Sequence, residues 1–391
     1  YCYLLAKQQG GELILRIEDT DQKRFVEGAE QFIIDACAWL ALDFTQGPHV
    51  GGEKGPYRQS ERSDLYQKYA KQLIEAGHAY YAFDTPAELE EMRQKLQESG
   101  VDQQTYNYVS RQSMQNSLTL SAEEVQARIE RGDDYVVRFM VPTKKDIRFH
   151  DAVRGHMHFV SSAVDDKVLV KSDGLPTYHL ANVVDDYHMG VTNVLRGEEW
   201  LSSTPLHVLL YEALGWKESM PQFAHLALLL DPQGKKLSKR NADKHGIPVF
   251  PANWFDGDSG ETWSGYKDLG YLPEAILNYI ALLGWHPGTE QELMSREELI
   301  TAFSLERCVK SGARFDLDKL NYMQAHYLRA RSTPELADLV KPWIEQAGFE
   351  VPETAYLQQV VDLMRERITF PQDLPKDAPY YFVAPSQYDE K

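Results

Sequence analysis

Four cationic side chains lie in the six-residue segment 235–240, whose sequence is Lys-Lys-Leu-Ser-Lys-Arg. The segment follows an apolar run at 223–230 and the turn Asp-Pro-Gln-Gly at 231–234. Lysine acts as a flexible point charge, and arginine grips phosphate oxygens with a planar fork. The segment therefore suits a partner with concentrated negative charge, such as a triphosphate. Taken alone, such a charge run is more often a basic turn that faces water.

Three further polar segments carry groups that could take part in chemistry. They are Arg-Ile-Glu-Asp-Thr-Asp at 16–21, Pro-Thr-Tyr-His-Leu-Ala-Asn at 176–182 and Arg-Gly-Glu-Glu-Trp at 196–200. Three of the four polar segments fall at the ends of predicted strands, which is where open α/β sheets bind ligands. We therefore expect their side chains to converge on one cleft when the chain folds.

The elements that would position these segments alternate between strands and helices. Residues 13–17 predict a buried strand, and the apolar positions of 29–40 and 66–74 have the spacing of amphipathic helices. A predicted helix at 206–214 and a predicted buried strand at 223–230 continue the pattern. Strand followed by helix indicates an α/β architecture with a parallel sheet.

Residues 78–177 differ in composition from the flanking segments. Thr85 and Ser121 begin sequences typical of capping boxes, while 135–141 and 156–170 have strand character. We therefore predict an inserted α+β module in this part of the chain.

From Leu272 onward the pattern is mostly helical. The segment 245–268 precedes this region and has four Gly, two Pro and four Trp or Phe, which predicts a structured loop. Predicted helix starts and ends of the helical region lie at Pro273, Ser295, Ser332, Gly284 and Gly348.

The composition is that of an ordinary soluble protein, with 43% hydrophobic and 26% charged residues over 391 positions. This length predicts two to four domains, and no apolar run approaches the roughly 20 residues that span a bilayer. Cys2, Cys37 and Cys308 form no CxxC pair, so neither a disulfide framework nor a cysteine zinc site is expected. This usage fits a reducing cytoplasm.

The net charge of −18 argues against a nucleic-acid binder, whose footprint is normally basic. The total is not decisive, because local fields govern docking. Residues 235–244 contain five bases and one acid, a net charge of 5 − 1 = +4. An acidic enzyme with one basic strip fits both observations.

Together with Gly-Pro-Tyr-Arg-Gln-Ser-Glu-Arg at 55–62 and Val-Lys-Ser-Asp-Gly at 170–174, the polar segments resemble bacterial-type glutamyl-tRNA synthetases. These are class I aminoacyl-tRNA synthetases, and residues 236–240 are similar to the family's form of the KMSKS signature. The resemblance is specific because six motifs follow one another in the family's order. It implies an α/β fold in which an α+β connective insertion splits a Rossmann-like catalytic domain, followed by a mainly helical tRNA-binding region.

The resemblance also implies a reaction and a set of residue roles. The reaction is ATP-dependent activation of L-glutamate to glutamyl-adenylate, followed by transfer to the 3′ end of tRNA(Glu). The glutamate-binding residues implied by the family are Glu18 for the ammonium group, Tyr178 as a hydroxyl donor, Asn182 for orientation and Arg196 for the side-chain carboxylate. Catalysis is assigned to Lys236, Lys239 and Arg240, and ATP binding to Glu199, Trp200, Leu229, Lys236, Ser238 and Lys239.

Structural alternatives compete with several of these roles. Glu18 could be an acid at a helix entry that the helix dipole favours. Arg196 could form a surface ion pair with one of the two glutamates that follow it. Trp200 could belong to the core, and Leu229 lies in a run that would be apolar in any strand.

Two metal-like patterns do not predict a metal site. His156 and His158 share one face of a strand and 185–188 clusters Asp and His, but neither offers a clear third ligand. Some family members bind zinc through cysteines of the insertion, whereas this chain has none between Cys37 and Cys308. We expect no protein-bound zinc, with Mg²⁺ arriving together with ATP.

The resemblance implies five regions: catalytic halves at 1–77 and 178–240, a connective module at 78–177, a stem-contact domain at 241–322 and the start of the anticodon-binding helices at 323–391. The expected partners are tRNA(Glu), L-glutamate and ATP. No membrane partner is expected, and the protein is expected to be a cytoplasmic monomer.

Relative to the family, residue 1 matches the middle of the helix that bears the HIGH signature, and the family continues past residue 391. A substrate-binding arginine, the HIGH signature and further anticodon-binding helices are therefore expected outside the printed sequence. The printed residues alone are expected to bind ATP poorly and to turn over little.

Three other identities remain as alternatives. A glutaminyl-tRNA synthetase is the nearest, but the segments at 16–21 and 196–200 match the glutamyl form. The shorter glutamyl-queuosine enzyme lacks a helical region after the basic segment, and residues 323–391 argue against it. A non-catalytic tRNA-binding or scaffold protein would suit the missing first motif, although the other motifs disfavour it.

Overall fold

The computed structural model describes residues 1–21, 26–101, 104–238, 242, 244–255, 257 and 260–384. Its α-helices are α1 Cys2–Gln8, α2 Ala29–Trp39, α3 Ser63–Glu75, α4 Pro86–Glu98, α5 Ala122–Arg131, α6 Tyr178–Met189, α7 Thr204–Ala213, α8 Pro273–Gly284, α9 Arg296–Ala302, α10 Leu317–Arg329, α11 Thr333–Gln346, α12 Thr354–Met364 and α13 Asp373–Asp377. The helices predicted near 29–40, 66–74 and 206–214 are confirmed as α2, α3 and α7.

The strands are β1 Ala79–Ala82, β2 Val136–Phe139, β3 Asp146–Asp151, β4 Gly155–Val160, β5 Val168–Val170, β6 Asn193–Gly197, β7 Gln222–Leu226, β8 Leu229–Leu230, β9 Trp254–Phe255, β10 Thr262–Trp263 and β11 Ala313–Arg314. A four-stranded sheet has the order β4-β3-β7-β6, and an antiparallel sheet has the order β1-β2-β5. Within the larger sheet β7 runs parallel to β3 and β6, so the predicted α/β class with parallel strands is confirmed.

The prediction of a buried strand at 13–17 is wrong. These residues are half-buried and make isolated parallel bridges at two positions, Ile14 with Gln46 and Ile17 with Arg58. Because successive backbone groups bond to two separate segments of the chain, no continuous ladder forms.

The two long strands predicted at 156–170 and 223–230 are each interrupted. A 3₁₀-helix at Ser161–Ala163 separates β4 from β5, and residues 227–228 separate β7 from β8. β8 pairs in parallel with β11. The second interruption leaves the Leu229 side chain 43% exposed, so Leu229 does not lie in a buried strand as predicted.

The larger sheet joins parts of the chain that the sequence analysis assigned to different regions. β3 and β4 lie inside 78–177, yet Asp151 at the end of β3 pairs with Phe223 of β7. The main core cluster packs α3, α6 and α7 around these strands and includes Tyr66, Leu180 and Leu210. The sheet that carries Arg196 is therefore held by one core shared with the insertion.

The predicted capping box at Thr85 is confirmed, and the predicted helix starts at Ser295 and Ser332 also form capping boxes with a glutamate three residues later. Ser121 caps α5 by accepting a bond from the Glu124 N–H, so its cap has the hydroxyl half of the predicted box. The helical C-terminal region has its own core, in which Leu336, Val340, Leu357 and Val361 are fully buried.

The described part of 245–268 is structured, as predicted. β9 and β10 form a short antiparallel pair, and Phe250 bridges to Gly265. The ring of Phe32 on α2 meets the Trp254 ring edge-on at 4.8 Å. Among the helices in the described ranges, none combines the length and apolarity needed to cross a membrane.

Candidate active site

Arg196 lies near the carboxyl end of β6, and its guanidinium is surrounded by neutral groups. It donates from Nε to His225 Nε2 at 3.0 Å, from Nη1 to the Tyr178 hydroxyl at 2.9 Å and to His207 Nδ1 at 3.3 Å, and from Nη2 to Thr204 Oγ1 at 2.8 Å. No carboxylate of the described ranges forms an ion pair with it. One N–H of Nη2 has no acceptor among these residues, so this cation is balanced neither by charge nor fully by hydrogen bonds.

The alternative in which Arg196 pairs with a following glutamate is wrong. Glu198 pairs instead with Arg154 at 2.6 Å, and Glu199 pairs with Lys236 at 3.5 Å. Glu198 also accepts a bond from the Leu228 N–H at 3.3 Å. Glu198 therefore holds the turn before β8 in place and does not neutralise Arg196.

Two side chains with no exposed surface lie behind Arg196. The ring nitrogen Nδ1 of His225 is 2.6 Å from Asp151 Oδ2. Burial alone would raise the pKa of Asp151, but hydrogen bonds from His225 and from backbone N–H groups hold it below its usual value. Asp151 is therefore a stable buried anion near, but not in contact with, the guanidinium.

The other imidazoles of this cluster are neutral at physiological pH. Burial, together with the nearby Arg196 charge, holds the pKa of His207 well below its usual value. Burial lowers the pKa of His179 to about 4, and its Nδ1 lies 3.2 Å from His207 Nε2. Neutral rings can accept hydrogen bonds from the guanidinium without adding a second positive charge.

Helix α6 carries two of the predicted glutamate-binding residues, and one of them, Tyr178, contacts Arg196. Tyr178 is the first residue of the helix, and Asn182 lies one turn later on the same face and is 6% exposed. Burial raises the pKa of Tyr178; Arg196 opposes this shift, and Glu18 adds to it. The phenol therefore lies within electrostatic reach of both predicted partners, Arg196 and Glu18.

Trp200 is not a core residue. Its side chain is 39% exposed, and its ring lies 4.5 Å from the Tyr178 ring. The 3₁₀-helix Glu198–Ser203, which follows β6 directly, presents this aromatic surface next to Arg196. Sequence alone could not decide between the core and the site for this residue.

Glu18 is tied to α6 through Arg16. Arg16 Nη2 lies 3.2 Å from Glu18 Oε1, and Nη1 lies 2.8 Å from Asp186 Oδ1. The alternative in which Glu18 stabilises a helix entry concerns residues 22–25, which lie outside the described residues; the next described helix, α2, begins at Ala29. The Glu18 side chain is 43% exposed, which leaves its carboxylate accessible.

The loop that carries Glu18 is fixed by residues from two other motifs. Ser60 donates from its backbone and its hydroxyl to Asp19, at 2.8 and 2.5 Å. Lys171 Nζ donates to the Thr20 carbonyl at 3.0 Å. These contacts give structural roles to the segments at 55–62 and 170–174.

The basic segment begins on a fixed turn. Asp231 Oδ1 accepts from the backbone N–H groups of Gln233 and Lys235 at 3.0 and 2.9 Å, and Leu237 N–H donates to the Leu229 carbonyl at 2.7 Å. The predicted ATP-binding residue Ser238 is exposed. Lys239 and Arg240, to which catalytic roles were assigned, lie outside the described residues.

The acidic pair on α6 is occupied by protein groups. Asp185 accepts from Arg62, Gln59 and Tyr66 at 2.7, 2.9 and 2.8 Å, and Asp186 pairs with Arg16. In the part of the chain that the structure describes, His, Cys, Asp and Glu side chains form no group of three that could hold a metal ion.

Known protein families account for nearly the whole chain. Residues 1–322 match the family described as tRNA synthetases class I (E and Q), catalytic domain, and residues 335–391 match an anticodon binding domain. A glutamate–tRNA ligase of Amoebophilus asiaticus is 53% identical over 390 residues, which cover 100% of this chain and 76% of the relative. The chain belongs to the glutamate–tRNA ligase family.

Other members of the ligase family agree in sequence and in fold. The glutamate–tRNA ligase of Parabacteroides distasonis is 53% identical over 393 residues, covering 100% of this chain and 77% of the relative. A crystal structure of a glutamate tRNA ligase from Elizabethkingia meningosepticum, in complex with its amino acid, superposes with a TM-score of 0.95 at 45% identity. That match covers 100% of this chain and 77% of the other. The predicted class I synthetase fold is thereby confirmed.

The sequence analysis missed the groups that hold Arg196 in this ligase. They come from three separate elements and belong to no motif that was recognised: Asp151 on β3, Thr204 and His207 on α7, and His225 on β7. One signal was present: His225 interrupts an otherwise apolar run, and a buried histidine in a strand needs a polar partner.

Proposed function

We propose that the unbalanced Arg196 guanidinium binds the side-chain carboxylate of glutamate. The supporting observation is its setting: four neutral side chains hold it, and no carboxylate of the described residues pairs with it. A cation in this state gains most from a ligand that supplies the missing negative charge. The neutral amide of glutamine offers an oxygen acceptor but no charge.

Two donors at this point suit the two oxygens of a carboxylate. One is the remaining N–H of Arg196 Nη2, and the other is the Tyr178 hydroxyl, whose oxygen accepts from Arg196 and whose proton can be donated elsewhere. Glu18, accessible on the neighbouring loop, would receive the α-ammonium group, and Asn182 would orient the amino acid.

The protein is a glutamate–tRNA ligase, and its family uses ATP as a substrate. In the first step an α-carboxylate oxygen of glutamate attacks the α-phosphorus of ATP. The bond between this phosphorus and the oxygen bridging it to the β-phosphorus breaks, and pyrophosphate leaves. In the second step the ribose 2′-hydroxyl of the tRNA end attacks the adenylate carbonyl, and AMP leaves. Neither step requires a protein nucleophile, so positioning and charge stabilisation carry the catalysis.

We assign the nucleotide to the surface formed by Glu199, Trp200 and Leu229 beside the basic segment. Trp200 and Leu229 offer exposed apolar surface for the adenosine portion. Lys236 and Ser238, together with Lys239 and Arg240, would contact the phosphates, with Lys239 stabilising the charge that develops as pyrophosphate leaves. Mg²⁺ enters as part of the Mg·ATP substrate.

In the five-region division proposed from the sequence, the three regions outside the catalytic halves would each contact a different part of the tRNA. Residues 78–177 would contact the acceptor end, 241–322 the stem and 323–391 the anticodon arm. Backbone charge would dominate RNA binding, so affinity should fall as salt rises. We also propose that the enzyme is cytoplasmic, since its product serves the ribosome. We propose in addition that it acts as a monomer.

The decisive experiment offers glutamate and glutamine side by side to the intact protein with ATP and tRNA. We expect charging with glutamate and little with glutamine, because the amide leaves the Arg196 charge unbalanced. Preferential charging with glutamine would overturn the assignment of the pocket.

The role of the basic segment is tested separately with Lys239→Ala. Adenylate formation should fall on the order of 100-fold or more, as expected when a group that stabilises developing charge is removed. Lys267→Ala removes a lysine that the structure shows to be exposed, and it serves as the control. Near-normal turnover of folded Lys239→Ala would refute the catalytic role.

A further inference from the structure

The groups behind Arg196 form a chain of hydrogen bonds that fixes one tautomer of His225. The Nε–H of Arg196 can only donate, so His225 Nε2, 3.0 Å away, must present its lone pair. The ring proton of the neutral imidazole then lies on Nδ1, which is 2.6 Å from Asp151 Oδ2. The hydrogen bond made by one ring nitrogen thus decides what the other offers.

We propose that Asp151, acting through His225, is a positioning residue that aims the Arg196 guanidinium at the substrate carboxylate and so contributes to the choice of glutamate over glutamine. The proposal rests on the proposed role of Arg196 and extends it to two residues outside the recognised motifs. Neither Asp151 nor His225 needs to touch the amino acid.

The geometry supports a directional role as well as a packing role. Asp151 and His225 have no exposed side-chain surface, and the bond between them crosses from the end of β3 to β7. Thr204 Oγ1 lies 3.1 Å from His225 Nε2 and accepts from Arg196 Nη2, so the two acceptors fix one edge of the guanidinium. With that edge fixed, the remaining N–H groups of the guanidinium are directed to Tyr178, His207 and the ligand.

The two carboxylate oxygens of Asp151 have different partners, so a substitution can change the contact with the His225 ring and leave the turn intact. Oδ1 accepts from the backbone N–H groups of Val153, Arg154 and His225 at 3.0, 2.8 and 3.2 Å. Oδ2 accepts from the His225 ring. In Asp151→Asn the amide oxygen can keep the three backbone bonds while the NH₂ group faces the ring.

Asp151→Asn should therefore reverse the tautomer without undoing the turn. The amide N–H would donate to Nδ1, the ring proton would move to Nε2, and two donors would then face each other at Arg196. We expect the KM for glutamate to rise about 10- to 100-fold, as for a buried donor left without its acceptor. The KM for ATP should stay within about twofold, and the preference for glutamate over glutamine should fall.

Asp146→Asn is a matched control on the same strand. Asp146 also faces a histidine, His158 at 3.1 Å, but both side chains are more than half exposed. This variant should leave both KM values unchanged.

Two substitutions of His225 provide a second measurement. His225→Gln can place an amide oxygen near the position of Nε2 and accept from Arg196, whereas His225→Leu cannot. We expect the KM for glutamate to rise less in His225→Gln than in His225→Leu at similar thermal stability. If His225 had only a structural role, the two variants would lose stability but would not differ in this way in their KM for glutamate.

Arg196→Gln distinguishes failure of this proposal from failure of the proposed function. If Arg196→Gln raises the KM for glutamate but folded Asp151→Asn stays within about twofold of the unchanged protein, the positioning role is refuted and the carboxylate site stands. If Arg196→Gln itself leaves the KM unchanged, the proposed site and this inference both fail.

Discussion

The two ends of helix α6 differ in whether the charged groups beside them are neutralised by other protein groups. At its carboxyl-terminal half, Asp185 and the guanidinium of Arg62 are buried and bonded to each other at 2.7 Å. At its first turn, Tyr178 contacts Arg196, which has four neutral partners and no carboxylate among the described residues. The first arrangement is complete within the protein, whereas the second leaves a positive charge without a carboxylate partner among the described residues, and we propose that the substrate supplies this partner.

The contrast separates charges that stabilise the fold from a charge that we propose serves substrate binding. A buried ion pair with all its hydrogen bonds made is costly to break from either side. A partly buried charge without a counter-ion costs stability in the free protein, and that cost is recovered when the substrate binds. Four variants test this contrast, in order of decreasing effect.

Asp185→Ala should destabilise the protein most. It leaves Arg62 buried without its partner and also removes the acceptor of Tyr66 and Gln59. The free energy of unfolding in urea should fall by about 3–5 kcal/mol. Glu75→Ala, which breaks an exposed ion pair with Lys71, is the control and should change it little. An equal effect of the two variants would contradict the contrast.

Arg196→Gln should affect catalysis strongly and stability only weakly. It removes the charge that we propose to bind the substrate carboxylate, so kcat/KM for glutamate should fall about 100-fold or more, or at least about 2.7 kcal/mol. The free energy of unfolding should fall by less than about 1 kcal/mol, because no ion pair of the described residues is lost. A large loss of stability would show that Arg196 is a structural residue.

Acid should weaken the Arg196 end of α6 through its neutral imidazoles. The folded pKa of His179, about 4, lies below the unfolded value near 6.5, so between these values the unfolded chain binds more protons. The stability contributed by this histidine is fully present above pH 6.5 and is lost as the pH falls toward 4. His179→Gln should reduce the slope of unfolding free energy against pH by up to about 1.4 kcal/mol per pH unit. If the unfolding free energy had the same pH slope in both proteins, His179 would not be buried in its neutral form.

Glu30→Gln should have the smallest effect. Arg58 and Glu30 form a two-point ion pair at 2.8 and 2.7 Å, but their side chains are 37% and 31% exposed. Water and salt screen such a pair, so the free energy of unfolding should fall by about 1 kcal/mol or less. A loss comparable to that of Asp185→Ala would show that burial is not what separates the two classes of ion pair.

The motifs in the sequence were sufficient to find the family and most of the proposed site. Tyr178, Asn182 and Arg196 were selected from the sequence; in the structure Tyr178 contacts Arg196, and Asn182 lies one turn later on the same helix. The strand at 13–17 could not be predicted correctly, because its bridges depend on two later segments, at Gln46 and Arg58. Leu229 was misplaced for a similar reason, since β8 is a short strand set by its pairing with β11.

Short stretches of sequence were enough to establish which chemical groups this protein has and in which order they occur, because side-chain chemistry and local periodicity are properties of such stretches. Which of the charges are neutralised became apparent only from the folded chain. Asp185 meets a residue 123 positions away, and Asp151 reaches His225 across 74 positions. Coulomb and hydrogen-bond energies depend on distance in space, and the folded core alone sets that distance.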